Sequence, residues 1–504
     1  MRLIFLLLSA LAALAAQAGA ATGYGPYEQV RLVGAAVVSE DDARVLADGY
    51  AGRLLTIDDL RALADGFTEP CARAALALCR AEIPDPDPGA PVLTVHVSEG
   101  HVADLVAPTA LLPVARRVLA PVLAERPLRR ETLTRAVTNL GEVPGVRLAS
   151  VTPERLEGHA YRLVIEGDYE RTGLRGYASN RGSRRDHPWQ GVAAASRRSL
   201  LVPGDEAQMA YVFRPEAPSE LSYGVLKYRT APLASGRTLF GEANLSRNSP
   251  RAALDGRNVE GSLARVIFGA RSPIFRRTGR QLHLETSFEA VGTEEREDGA
   301  QLFRDDLRVL RAALIGQAQR GESLRLAPRV VVSQGVDGLG ARVGSRPDGR
   351  AGFTTLAADL LARAQIGRLH AEGAVTAQVS SAPLPFQEEF SLGGGEFGRA
   401  YDFGEVRGDA GIAAYVEAGP RLALGGGRAA LTPYLFVDAG AIWQVDLDTL
   451  ADGKPLWSAG LGVDLAHKSG LVLGYEAAFP LSNAPYTAED DVRHRLQLGW
   501  SQGR

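Results

Sequence analysis

From Thr172 to the C-terminus the sequence alternates with a period of two, and that pattern limits the fold more than any other feature. Between 369 and 379, Leu369, Ala371, Gly373, Val375, Ala377 and Val379 alternate with His370, Glu372, Ala374, Thr376 and Gln378. Between 431 and 443, Leu431, Leu435, Val437 and Trp443 share one face, and Tyr434, Phe436, Asp438 and Gly440 share the other. Segments 282–290, 457–465, 471–479 and 492–500 behave alike, with Gly, Pro, Asp, Asn and Ser clusters between them. The reading is a series of antiparallel strands, roughly 16 in number at about 21 residues per strand and connection, an even count that suits a closed up-and-down barrel. The segments 191–200 and 300–316 are the least clear, which gives the count a latitude of about two.

One face of these strands carries many charges, among them Glu285, Glu289, Arg325, Arg329, Arg368, Glu372, Glu417, Glu476, Arg493 and Arg495. A soluble sandwich would have to bury one of its two faces, and neither suits that role. A transmembrane barrel keeps the charges in a wet lumen, and closure leaves no backbone group unpaired in hydrocarbon. Trp443, Trp457, Tyr475, Phe479 and Trp500 suit interfacial girdles, with ordinary strand packing as the alternative. At the N-terminus Arg2 precedes a Leu/Ala-rich run and small residues, Ala16-Gln-Ala-Gly-Ala20. Residues 1–21 therefore read as a secretory signal peptide, the run being short for a membrane span of about 20 residues.

Between leader and barrel lie two small α+β modules, expected at 28–106 and 107–170. In the first, Gln29-Val-Arg-Leu-Val is a strand, Ser39 and Thr56 open helices with acidic first turns, and 92–102 alternates as a strand and turn. In the second, helices around Leu111–Ala115 and Arg130–Leu140 precede strands at 146–151 and 160–167. Cys71 and Cys79 fall in one expected helical region. In an oxidising compartment a local disulfide is the favoured reading, with two buried thiols as the alternative. Two sulfurs make a poor zinc site, so no metal and no cofactor are expected. The net charge of −3 argues against a nucleic-acid partner.

The most informative stretch is Phe390-Ser-Leu-Gly-Gly-Gly-Glu-Phe-Gly-Arg-Ala-Tyr-Asp, between the expected eleventh and twelfth strands. Gly393-x-Gly395-x-x-Gly398 matches a dinucleotide fingerprint in form, but no βαβ unit surrounds it. Taken with the two modules and the strand count, the chain resembles two-partner secretion transporters of the haemolysin secretion/activation (ShlB/FhaC/HecB) type. That family lies within the superfamily of the outer-membrane assembly protein BamA. The resemblance implies that the modules are periplasmic POTRA domains before a 16-stranded barrel of residues 171–504. It also implies that loop 386–408 folds into the barrel and carries a Val/Phe-Arg-Gly-Tyr/Phe motif.

The matching residues are Gly398, Arg399, Ala400 and Tyr401, with Ala400 in place of the usual Gly; Ala resists positive φ. A Phe-x-Asp-x-Gly motif is matched by Phe436, Asp438 and Gly440, and alternation puts Asp438 inside. An Arg399–Asp438 ion pair in the lumen is therefore expected, because an inserted arginine needs a partner.

The family's function is export of an exoprotein bearing an N-terminal secretion domain across the outer membrane, whose lipid surrounds the barrel. With only about ten residues between leader and first strand, no plug helix is expected. The alternative within the superfamily is assembly of other outer-membrane proteins. A passive porin leaves the modules unexplained. No Gly-x-Ser-x-Gly or His-Glu-x-x-His occurs, so no catalytic residues and no enzyme activity are expected.

Overall fold

The computed structural model describes residues 23–34, 40–184, 187–249, 258–445, 449–450, 455–487 and 491–502. The expected signal peptide and Ser39 lie outside the described residues. The chain divides into two compact units: residues 1–142 with 147–168, and residues 143–146 with 169–504.

The first unit holds two small sheets. In the first sheet Gln29–Val33 runs parallel to Val92–Glu99, which also pairs antiparallel with Cys79–Glu82. Helices Glu40–Asp48, Ile57–Gly66 and Thr68–Arg73 accompany it. The helix at Ile57 starts where it does because Thr56 Oγ1 accepts the Asp59 N–H (3.1 Å) while the Asp59 carboxylate accepts the Thr56 N–H (2.8 Å). Such a capping box adds about 1 kcal/mol. Its apolar face, Leu60 and Leu63, packs with Phe67, Leu93, Val95 and Val97.

Two expectations need correction here. Cys79 opens a strand rather than continuing a helix, and it is joined to Cys71 by a disulfide (S–S 1.99 Å). The boundary at 106 moves back to Gly100, because His101–Val106 runs parallel to Ala160–Tyr169 in the second sheet. That sheet has the order His101–Val106, Ala160–Tyr169, Val146–Arg155. Helices Leu112–Val118, Ala120–Ala124 and Arg130–Gly141 accompany it. The two sheets share one unit through backbone bonds, Ala77 N–H to Leu128 C=O (2.9 Å) and Leu128 N–H to Gly100 C=O (3.0 Å). Arg155 also donates to Glu82, which holds the Glu82 carboxyl below its ordinary pKa.

The second unit is a closed antiparallel barrel of 16 strands. Strand 1 is Thr172–Ser179 and strand 16 is Arg493–Gln502, and they pair from Leu174↔Gln502 to Ser179↔Gln497 to close the ring. The unclear segments are both strands: Gln190–Arg198 is strand 2 and Ala300–Arg320 is strand 8. Strands 6 (Val259–Arg277), 7 (Arg280–Glu297) and 8 contain 19, 18 and 21 residues. A tilted span needs about 9–11 residues, so these three outrun the membrane.

Their far end, at Asp298-Gly299, is ringed by Glu294, Arg296, Glu297 and Arg304. Outward residues are apolar and exposed, as alternation requires: Leu284 37%, Leu310 49%, Leu435 69%, Trp457 50%. Trp443, Tyr475, Phe479 and Trp500 share that exposure and face outward. No described helix is long and apolar enough to cross a membrane.

Candidate functional site: the loop seated in the barrel lumen

The site lies between strand 11 (Leu369–Ser380) and strand 12 (Ala410–Pro420), where a short hairpin, Phe390–Leu392 with Val406–Gly408, carries the Gly-rich turn. The glycines serve close approach. A Cβ on Gly393 would stand 2.1 Å from Asp402 O, and one on Gly394 would stand 2.6 Å from Phe403 Cα. Positive φ occurs at Gly393, Gly394, Gly398 and Gly404, and not at Ala400. Ala400 is buried (0%) and costs the turn no strain, because the left-handed position falls at Gly398.

The expected ion pair takes a different form. Asp438, on strand 13 (Ala429–Gln444), does face inward and is 2% exposed. Its carboxylate accepts the backbone N–H of Gly398 (2.9 Å) and Arg399 (3.2 Å) and the Ser458 hydroxyl (2.7 Å). The Arg399 guanidinium instead meets Glu417 (2.8 Å) and Glu476 (3.0 Å). The reason is geometric: Asp438 grips the main chain at Arg399, so the long side chain projects past it to the next carboxylates. The guanidinium lies 4.6 Å from the ring centres of both Tyr415 and Phe436, a double cation–π contact.

Each residue of the second motif thus has a distinct task. Phe436 stacks on Arg399, Asp438 holds the turn's backbone, and Gly440 leaves room for Leu392. A Cβ on Gly440 would stand 2.6 Å from Leu392 Cδ1. Tyr401 is fully buried and its hydroxyl reaches the Trp457 carbonyl (2.7 Å) and the Ser482 hydroxyl (2.7 Å).

Several partners were legible only as lumen charges. Glu476, on strand 15 (Leu471–Pro480), also takes Arg495 (3.2 Å). Arg495 in turn donates to the carbonyls of Gly394 (3.1 Å) and Gly395 (3.3 Å). Asp402 accepts from Ser183 (2.8 Å) and from the Arg184 N–H (2.9 Å), and it pairs with Arg493 (3.4 Å). Glu405 accepts from the Tyr486 N–H (2.6 Å) and the Thr487 hydroxyl (2.8 Å). Sequence reasoning did not single out Asp402, Glu405 or Tyr415, which carry no motif signal beyond their place near Arg399. Among the described residues no group of three or more His, Cys, Asp or Glu could hold a metal ion.

Residues 239–465, from strand 5 to strand 14, match the model of the haemolysin secretion/activation protein ShlB/FhaC/HecB family. The matched segment contains both motifs and the whole seated turn. Solved structures agree on the fold. CdiB from Escherichia coli is 16% identical with a TM-score of 0.72, over 96% of this chain and 92% of that one. CdiB from Acinetobacter baumannii is 13% identical with a TM-score of 0.65, over 95% and 90%. BamA from Haemophilus ducreyi lacking POTRA domains 1–3 is 12% identical with a TM-score of 0.53, over 94% and 100%. No curated protein matches the sequence. These likenesses show a shared fold along nearly the whole chain.

Proposed function

We propose that the chain exports a partner polypeptide across the outer membrane by two-partner secretion. The observation that carries this reading is a loop seated against one wall of a 16-stranded barrel whose residues 239–465 match that family's model, with more exposed charges on the adjoining wall. The leader directs the chain out of the cytoplasm, and the two modules act as periplasmic POTRA domains. They bind the exoprotein's N-terminal secretion domain in extended form, partly by strand addition to a sheet edge. The cargo then threads the lumen while the Arg399 turn leaves its seat, and it folds outside. Folding on the far side drives the passage. The reading needs no cofactor and assigns no catalysis to the chain.

The test is secretion of the exoprotein encoded beside this gene, in cells with and without it. Accumulation of that protein in the periplasm, relieved by complementation, supports the proposal. The likeness to BamA favours one second reading, in which the chain assembles other outer-membrane proteins. Unaffected export with a general fall in outer-membrane proteins would install that reading instead.

A further inference from the structure

Along strands 6–11 the two ends of the barrel differ in how their arginines are satisfied, whereas near-end Arg198 and Arg229, on strands 2 and 4, both pair with Glu206 (3.0 and 3.2 Å). At the far end of strands 6–9, Arg296 pairs with Glu294 (2.5 Å), Arg304 with Asp306 (3.1 Å), and Arg342 with Asp306 (2.5 Å). At the near end, where the chain enters strand 1 and leaves strand 16, the turns carry Arg277, Arg280, Arg320 and Arg368. All four are exposed, and none has a carboxylate within 4.0 Å among the described residues. Glu322, in the neighbouring turn, makes no ion pair with them.

Arg277 and Arg280 flank the two-residue turn Thr278-Gly279 and stand directly opposite each other in the register. Arg280 is in turn opposite Ala318, which places Arg320 diagonally beside it. Like charges directly across a strand pair destabilise it unless something neutralises them.

Alternation fixes the face. Arg280 lies on the face of Leu282 and Leu284, and Leu284 (37% exposed) pairs with Leu314 (43% exposed) on the barrel's outer surface. Phe275, paired with Leu282 and 44% exposed, ends the apolar band two residues before Arg277. A two-residue step along a strand is about 7 Å, comparable to the thickness of the headgroup layer beyond the hydrocarbon. The three guanidinium groups therefore stand outside the lumen at headgroup depth.

We propose that Arg277, Arg280 and Arg320 form a site for the headgroup of an anionic glycerophospholipid in the leaflet at the barrel's near end. One phosphodiester bridging the guanidinium groups supplies the missing counter-charge and accepts their N–H donors. The outward direction of the three side chains separates this site from any peptide passing through the lumen.

The test uses the full chain in a neutral detergent, titrated with short-chain phosphatidylglycerol, phosphatidylcholine or inorganic phosphate, with bound species counted by native mass spectrometry. The wild type should retain phosphatidylglycerol in preference to phosphatidylcholine. The triple variant Arg277→Gln/Arg280→Gln/Arg320→Gln should lose about a hundredfold in that affinity at low salt. The corresponding triple Lys variant should keep most of it, and Arg296→Gln at the far end should not change it. Both variants must still migrate as heat-modifiable folded barrels. Equal retention of the two lipids by the wild type, or undiminished phosphatidylglycerol binding by the Gln variant, would overturn the proposal. Inorganic phosphate competing as well as the lipid would show a simple anion site and would overturn the lipid assignment.

Discussion

The lumen has two unlike walls. On strands 12–16, Asp438, Glu476, Arg493 and Arg495 are each 2% exposed and every one contacts the seated turn. On strands 9–11 most inward charges are more exposed, Glu372 at 17% being the exception. Arg329 and Asp359 pair at 3.5 Å with side chains 46% and 40% exposed, and Arg363 pairs with Glu372 while 53% exposed. Both walls are rich in charge, yet the energetics differ. An exposed pair contributes about 0–1 kcal/mol, whereas removing one partner of a buried pair costs about 3–5 kcal/mol. Charge on the first wall holds a loop in place, and charge on the second lies largely in exposed pairs.

The largest test of that contrast is Arg399→Ala or Asp438→Ala. Each leaves buried partners unsatisfied, which should shift the ratio of seated to released loop by about a hundredfold or more. Single-channel recordings should show longer and larger openings, and export should fall more than membrane insertion does. If both variants gate and secrete like the wild type, the two walls do not differ in role.

Reducing the Cys71–Cys79 disulfide should destabilise the first module by about 2–3 kcal/mol, read as faster proteolysis of the N-terminal unit in the full chain. It should leave conductance unchanged, since neither wall is touched. Gly440→Val pushes Leu392 off its seat at a cost of about 1–3 kcal/mol. Channel openings should rise, but less than for Arg399→Ala.

On the more exposed wall Arg329→Gln should cost under about 1 kcal/mol and leave gating alone. Ion selectivity, measured as a reversal potential, should move toward cations. A change in open time would contradict the division between walls.

The smallest effect lies outside both. The Arg155 contact depresses the Glu82 pKa, so its stabilisation is complete above the ordinary carboxyl pKa. It is lost as pH falls through the lower folded value. Below about pH 4 the N-terminal unit should become slightly easier to unfold, with Glu82→Gln removing that dependence.

Much of this architecture was legible because alternation is a local signal. The faces of 431–443 follow from residue parity alone, and so does the inward direction of Asp438. The strand Cys79–Glu82 was not legible, since four residues reading Cys-Arg-Ala-Glu show no alternation. Strand 8 was obscured by Arg304-Asp-Asp-Leu-Arg308, charges that are satisfied by cross-loop partners rather than by lying in a turn.

The role of Asp438 was misjudged for a related reason. A motif names residues that belong together but does not say whether main chain or side chain meets the carboxylate. The register that sets Glu417 opposite Phe436, and Glu476 opposite Arg495, appears only once strands are paired. With it, the guanidinium's partners could have been drawn from the inward charges already recognised.

The turn and its seat are parts of one polypeptide, anchored by strand 11 on one side and strand 12 on the other. A tethered ligand of this kind acts at an effective concentration on the order of millimolar, whatever the abundance of the protein. Anything that lodges in the lumen therefore competes with an occupant that never diffuses away. In the export cycle proposed above, a vacated lumen would let the turn rebind without help from another molecule, and the barrel would reset itself after each passage.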